Sequence, residues 1–201
     1  MAYSDFTFDA VLTQFELNES IAPLFPTVNP IAPSSWLKET LSLGQDFGLL
    51  AGTEKARSEF IVAPILLELR RSSVRPFAIY SGRNLDGDRE LGLNGECDFL
   101  LSQGETSYSL HAPVFSIVEA KKQDLDLGLG QCAAQLVGAR LFNKKKNFPI
   151  SILYGCVTTG DNWLFLKLEN QILTVDSRRY FYSELDLILG LFNQILLSLG
   201  D

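Results

Sequence analysis

The sequence predicts an α/β (α+β) fold, a central mixed β-sheet flanked by helices. Two observations carry this reading. Short apolar or alternating runs at 74–81, 95–101, 113–122, 149–158, 163–169 and 172–175 read as strands, and they are interleaved with segments of helical period at 53–72, 130–143 and 182–199. The run from Pro113 to Lys122 also begins as a buried, β-branched strand and ends abruptly in charge, as Glu119-Ala120-Lys121-Lys122. Such a strand leaves a core where a sheet ends.

The composition fits one domain over 1–201. At 201 residues, 46% hydrophobic and 20% charged, the chain can build a full core without disulfides or metal staples. Residues 1–50 read as an N-terminal extension packed on that core. No run reaches the apolar length of a transmembrane helix, and Met1-Ala2-Tyr3-Ser4-Asp5 lacks the regions of a signal peptide. A cytoplasmic location without a membrane partner is therefore expected. Cys97, Cys132 and Cys156 form no CxxC pair and sit in apolar settings, as small buried thiols do. The single histidine, His111, excludes a His-rich zinc site and gives no sign of a catalytic triad. A net charge of −7 is unusual for a nucleic-acid-binding chain, which normally shows a basic footprint. A local stripe drawn from Arg70, Arg71, Arg75, Arg83, Lys121, Lys122, Arg140 and Lys144-Lys145-Lys146 can still serve that purpose.

The elements follow in order. Asp9 to Leu17 is a short helix. Pro23, Pro26, Pro30 and Pro33 mark 21–35 as an extended connector. Ser34-Ser35 caps a helix from Trp36 to Leu41 that Gly44 closes. The helix over 53–72 has Thr53 as N-cap, Arg70-Arg71 in its last turn and Pro64 as the source of a kink. Val74 to Ser81 is a strand, and Gly82 to Leu93 is a polar loop in which Asp86-Gly87-Asp88 makes a turn. Gly95 to Leu101 is a strand whose acids Glu96 and Asp98 share one face, with Cys97, Phe99 and Leu101 on the other. Gln103 to His111 links it to the 113–122 strand as a hairpin. Asp124 to Leu129 is a glycine-containing turn and Gly130 to Asn143 a helix, in which Gly138 and Ala139 permit close approach to the sheet. The strands at 149–158, 163–169 and 172–175 form an antiparallel meander, and Tyr182 to Leu199 is a last helix.

Chemistry gathers around Glu119. The strand period of two puts Glu119 and Lys121 on one face, and the hairpin brings Asp98 to Glu119. Two acids and a lysine at the end of a sheet can form an oxygen-ligand cation site with an ammonium beside it. Gln131 and Gln135, one helical turn apart, share a face of the following helix. A helix carrying Glu59, a strand carrying Asp98, a strand carrying Glu119-x-Lys121 and a helix opening with Gln131 together resemble the PD-(D/E)xK nuclease superfamily, over roughly residues 53 to 143. Cys97 stands where that pattern often has proline.

The resemblance implies a restriction-endonuclease-like core and a Mg²⁺- or Mn²⁺-dependent nuclease acting on DNA. It implies Asp98, Glu119, the Ala120 carbonyl and Glu59 at the metal, Lys121 at the attacking water, and Gln131 in support. Glu68 is the weaker alternative to Glu59. Such an enzyme is expected to work as a homodimer or with a protein partner that delivers DNA. The alternative is a nuclease-like fold used as a binding module, with the acids as structure. A small-phosphate hydrolase is disfavoured, because Gly128-Leu129-Gly130 lacks the rest of a phosphate-cradling motif.

Overall fold

In a computed structural model, which describes residues 1–50, 52–122 and 125–199, side-chain period sorts the chain much as expected at its centre and differently at its edges. Helix α1 (Phe8–Gln14) is capped by Thr7 and leads into strand β1 (Asn18–Ala22), where the sequence suggests only helix end and connector. Helix α2 (Ser35–Gln45) starts at the Ser34 cap, whose hydroxyl accepts the Leu37 N–H. Gly44 does not end it. The helix runs on through a π turn at Asp46–Leu50, and Gly44 lies where it can approach the Phe60 backbone.

The long helix at 53–72 is one rod in three parts: α3 (Glu54–Arg57), a π turn (Ser58–Val62) and α4 (Ala63–Ser72). Thr53 caps it by accepting the Ala56 N–H. The π turn widens the helix just ahead of Pro64, whose ring would otherwise meet the Phe60 carbonyl. Glu68, on α4, is buried and accepts both the backbone N–H and the hydroxyl of Ser34, so it joins α4 to the start of α2.

Strand β2 (Phe77–Asp88) is longer than predicted and pairs antiparallel with β3 (Leu93–Gln103). The expected loop at 82–93 is mostly strand. Arg83, Asn84 and Asp86 are exposed, so this arm lacks the apolar alternation that marks a strand in sequence. Only its tip turns, with the Asp88 side chain accepting the Glu90 and Leu91 N–H groups. Gly82, at φ +61°, lies mid-strand opposite the Asp98 region. Beyond it β3 changes face: Cys97 joins the core half that contains Leu100, not the half that contains Phe99 and Leu101 as expected.

Strand β4 (Val114–Ala120) is buried at every residue. It pairs antiparallel with β3, Phe99 opposite Val118 and Leu100 opposite Ile117, and parallel with β5 (Ile152–Thr158). The crossover is helix α5 (Leu125–Lys145). It begins earlier than expected. Residues 125–129, predicted as a turn, are helical, while Asp124 lies outside the described residues. Gly128, which suggested a turn, and Gly130 both serve close packing. A Cβ at Gly128 would lie 2.4 Å from Val157, and one at Gly130 would lie 2.3 Å from the Phe6 carbonyl.

Strands β6 (Asn162–Glu169) and β7 (Ile172–Asp176) complete the antiparallel meander after β5. The two-residue strand β8 (Tyr180–Phe181) pairs with the start of β6, and helix α6 (Leu185–Ser198) ends the chain. The mixed sheet of eight strands has the order β1-β7-β6-β5-β4-β3-β2, with β8 beside β6 and β1 parallel to β7 at the edge. Helices α1 and α5 cover one face; α2, α4 and α6 cover the other. Strand β6 divides its side chains between them, Leu164, Leu166 and Leu168 to the first and Trp163 and Phe165 to the second. No helix among the described residues is long and apolar enough to cross a membrane.

Helix α5 is bolted to the beginning of β4 by Asn143. Its fully buried side chain accepts the Val114 N–H at 2.8 Å and donates to the Val114 carbonyl at 2.7 Å. Asn143→Leu would leave both backbone groups buried and unpaired, and is expected to cost on the order of 2–4 kcal/mol in urea unfolding. A loss below about 0.5 kcal/mol would show that water reaches Val114.

Candidate active site

Glu119 is 3% exposed, yet it faces α5 on a strand whose other side chains, Ser116 apart, are apolar. A carboxylate so placed needs donors, and the fold supplies three. Lys121 Nζ donates to Oε1 at 2.9 Å, Gln131 Nε2 donates to the same oxygen, and Gln135 Nε2 donates to Oε2 at 2.9 Å. Gln131 closes the cluster, its Oε1 accepting from Lys121 Nζ at 2.9 Å. Helical spacing gives Gln131 and Gln135 one face, and strand period gives Glu119 and Lys121 another; the crossover presses the two faces together.

Asp98 arrives from β3, whose antiparallel register places it next after the Phe99–Val118 pair, beside the end of β4. Its Oδ2 accepts the Ala120 N–H at 2.7 Å. The structure thus brings together Asp98, Glu119, Ala120, Lys121 and Gln131. It places Glu59 elsewhere: on the π turn, exposed, paired with Lys55 at 3.7 Å. The helix acid at the site is Glu54, one turn earlier, whose Oε1 accepts the Lys122 N–H at 3.3 Å. Sequence pattern favoured Glu59 because it borders the apolar block. The sign pointing to Glu54 was its place in the capped first turn, where a carboxylate also faces helix N–H groups.

The electrostatics are strained in one direction. Burial, and then the charge of Asp98, push the Glu119 carboxyl up to about 7, against the opposing pull of Lys121 and Gln135. Burial also raises Asp98, with Glu54 and Glu96 adding to it while the Ala120 N–H and Lys121 work against it. Burial pulls Lys121 down, but the charge and hydrogen bond of Glu119, and the charges of Glu54 and Asp98, more than reverse it. The lysine is therefore charged, and the unrelieved repulsion lies between the carboxylates.

That repulsion is what a cation would relieve, and hard oxygens suit Mg²⁺ or Mn²⁺. Lone pairs remain for it. Two carboxylates offer about eight acceptor sites, of which the hydrogen bonds above use four. Among the described residues no group of three or more His, Cys, Asp or Glu side chains is gathered to hold a metal. The oxygens that could hold an ion are those of the two carboxylates and, as the resemblance implies, the Ala120 carbonyl. Gln135 adds an orphan, since its buried Oε1 has no partner among the described residues.

Much of the anticipated basic stripe is engaged locally. Arg70 pairs with Glu105, Arg71 with Glu68, Arg83 with the Tyr108 carbonyl, Arg140 with the Asn170 carbonyl and Lys145 with the Gly87 carbonyl. All three cysteines are free and buried, and burial pushes their thiols up, as inert core residues. No protein-family model matches the chain, and no curated protein matches it.

A carboxyl whose folded pKa lies above its unfolded value stabilises fully below the unfolded value and loses that contribution as pH rises through the folded one. In EDTA, Glu119 should therefore cost stability between pH 4.5 and about 7. Glu119→Gln is expected to flatten this slope in urea titrations. Equal slopes for the two proteins would show that Glu119 ionises at an ordinary pH.

Proposed function

We propose that the chain is a Mg²⁺- or Mn²⁺-dependent nuclease of restriction-endonuclease-like fold, hydrolysing phosphodiester bonds in DNA. The observation that supports it most is the meeting of Asp98 and Glu119 across the β3–β4 hairpin with Lys121 bonded beside them. The strand with Asp98, the strand with Glu119 and Lys121, and the helix with Gln131 follow one another in the order on which the resemblance rests.

Asp98, Glu119 and the Ala120 carbonyl would hold the ion, which when bound polarises a phosphate and lowers the pKa of water. The Ala120 N–H fixes one Asp98 oxygen and leaves the other for the ion. Gln131 and Gln135 hold the Glu119 carboxylate in one plane. Lys121, tethered by Glu119 and Gln131, presents a fixed positive charge where negative charge develops on the phosphate. The tether spares the reorganisation that a free lysine would need at each turnover.

One observation favours a second reading, a nuclease-like fold serving as a binding module. Three donors already satisfy Glu119, so the cluster stands as structure without any ion. Calorimetry separates the two: a module shows no Mg²⁺ heat that vanishes in Asp98→Ala.

Incubation with supercoiled, linear and single-stranded DNA is expected to give cleavage with Mg²⁺ or Mn²⁺ and none with EDTA. Lys121→Ala should lower the rate by at least about 100-fold, the usual loss for one preorganised charge donor, with the circular dichroism spectrum retained. Equal cleavage by folded Lys121→Ala would sink the nuclease reading.

A further inference from the structure

Helix α2 and the π turn that continues it carry two apolar stripes, and the fold uses only one. Leu37, Leu41, Gly44 and Gly48 recur at intervals of three and four and are buried. A Cβ at Gly44 would lie 2.9 Å from the Phe60 carbonyl oxygen, so this side lies tight against the α3–α4 rod. Trp36, Leu43, Phe47 and Leu50 share a second side, at intervals of seven, four and three, and all are exposed. Leu43 is 71% exposed and Leu50 82%. The rod adds Phe60, also exposed, whose ring centre lies 5.3 Å from that of Phe47. None of these five side chains belongs to either half of the core. An apolar patch of roughly several hundred Å² on a folded chain marks an interaction surface, and five large side chains make one on that scale.

Charge selects what covers it. Glu39 lies three residues after Trp36 and four before Leu43; Asp46 lies three after Leu43 and four before Leu50. Residues so spaced are neighbours on a helix, so both acids border the outer stripe on one side. Both are exposed, and neither has a hydrogen bond or ion pair among the described residues. Glu59, Glu68, Glu105 and Glu169 each have a cation. Unpaired acids along the stripe repel an anionic membrane and a nucleic acid. An antiparallel pairing of two copies about Leu43 would set these acids against the same acids of the second copy. A helix with apolar residues on one side and lysines or arginines beside them meets both demands.

We infer that the outer stripe of α2 docks an amphipathic helix of a partner protein. The apolar side of that helix lies on Trp36, Leu43, Phe47, Leu50 and Phe60, and its flanking basic residues meet Glu39 and Asp46. The inference stands apart from the nuclease reading and holds whether or not the chain cuts DNA.

The probe is a fluorescein-labelled helical peptide of leucine and lysine, with leucines at i, i+3, i+4 and i+7. It is titrated with the full chain and followed by anisotropy, beside a control peptide with glutamate for every lysine. Saturable binding of the lysine peptide is expected, and none of the control. Leu43→Ser with Leu50→Ser should weaken binding at least about tenfold. The circular dichroism spectrum should not change, because both side chains lie outside the core. Glu39→Gln with Asp46→Asn should weaken binding about fivefold at low salt and remove most of its salt dependence. Absence of binding, equal binding of the two peptides, or unchanged affinity in either double variant would overturn the inference. Sedimentation equilibrium guards against a second copy as the occupant. A dimer that Leu43→Ser with Leu50→Ser dissolves would overturn it as well.

Discussion

A carboxylate buried in the middle of a sheet is the constraint to which the rest of this structure answers. Glu119 lies on β4, the strand with β3 on one side and β5 on the other, and it is covered by α5. Burying a bare carboxylate costs several kcal/mol, so the neighbouring helix must bring polar donors into an otherwise apolar interface. Gln131 and Gln135 are those donors, and they require α5 to lie in one register on β4. Asn143 imposes the same register from the other end through Val114. Apolar packing between the two anchors, with Ile117, Ala133, Leu136 and Val137 fully or almost fully buried, supplies adhesion but little choice of register. The polar contacts at both ends make that choice.

The site forms where this constraint meets the end of the sheet. Strand β4 leaves the core immediately after Ala120, so Lys121 stands at the boundary between the α5 face and the α3 face. The change of face in β3 around Gly82 and Asp98 has a consequence here. It sends Cys97 into the core with Leu100, and Asp98 turns to the backbone of β4. The π turn in the α3–α4 rod relieves Pro64, and the capped turn ahead of it carries Glu54 and Arg57 to the strand ends. Each face of the sheet thus contributes one cation and at least one amide or acid to the same rim.

What was legible in the sequence was what period encodes. The apolar runs placed β3, β4 and the meander, the period of two put Glu119 beside Lys121, and the spacing of four put Gln131 with Gln135. Thr53 and Ser34 declared their helix starts through local cap chemistry. The edges were not legible. Strands β1 and β8 are short and carry no period, and the outer arm of β2 exposes Arg83, Asn84 and Asp86, so pairing with β3 alone makes it a strand. Gly128 suggested a turn because local propensity cannot express tertiary crowding, and the helix there needs small residues at 128 and 130 to pass Val157 and the Phe6 backbone. Glu54 showed only through its place in the capped first turn. Its partner is a backbone N–H at Lys122, and such a contact leaves no pattern in either segment.

Net acidity bears on this site less than the total charge suggests. At physiological ionic strength the Debye length is about 8 Å, so acids on remote faces are largely screened from a strand lying on the rim. They slow encounter and barely touch the bound state. Local charge matters more, and there Asp98, Glu119 and Glu54 oppose a polyanion while Lys121 is tied to Glu119. In the nuclease reading, strand and metal ion are therefore coupled ligands. A divalent cation would offset the charge of the two carboxylates, and a phosphate would in turn give that cation another oxygen.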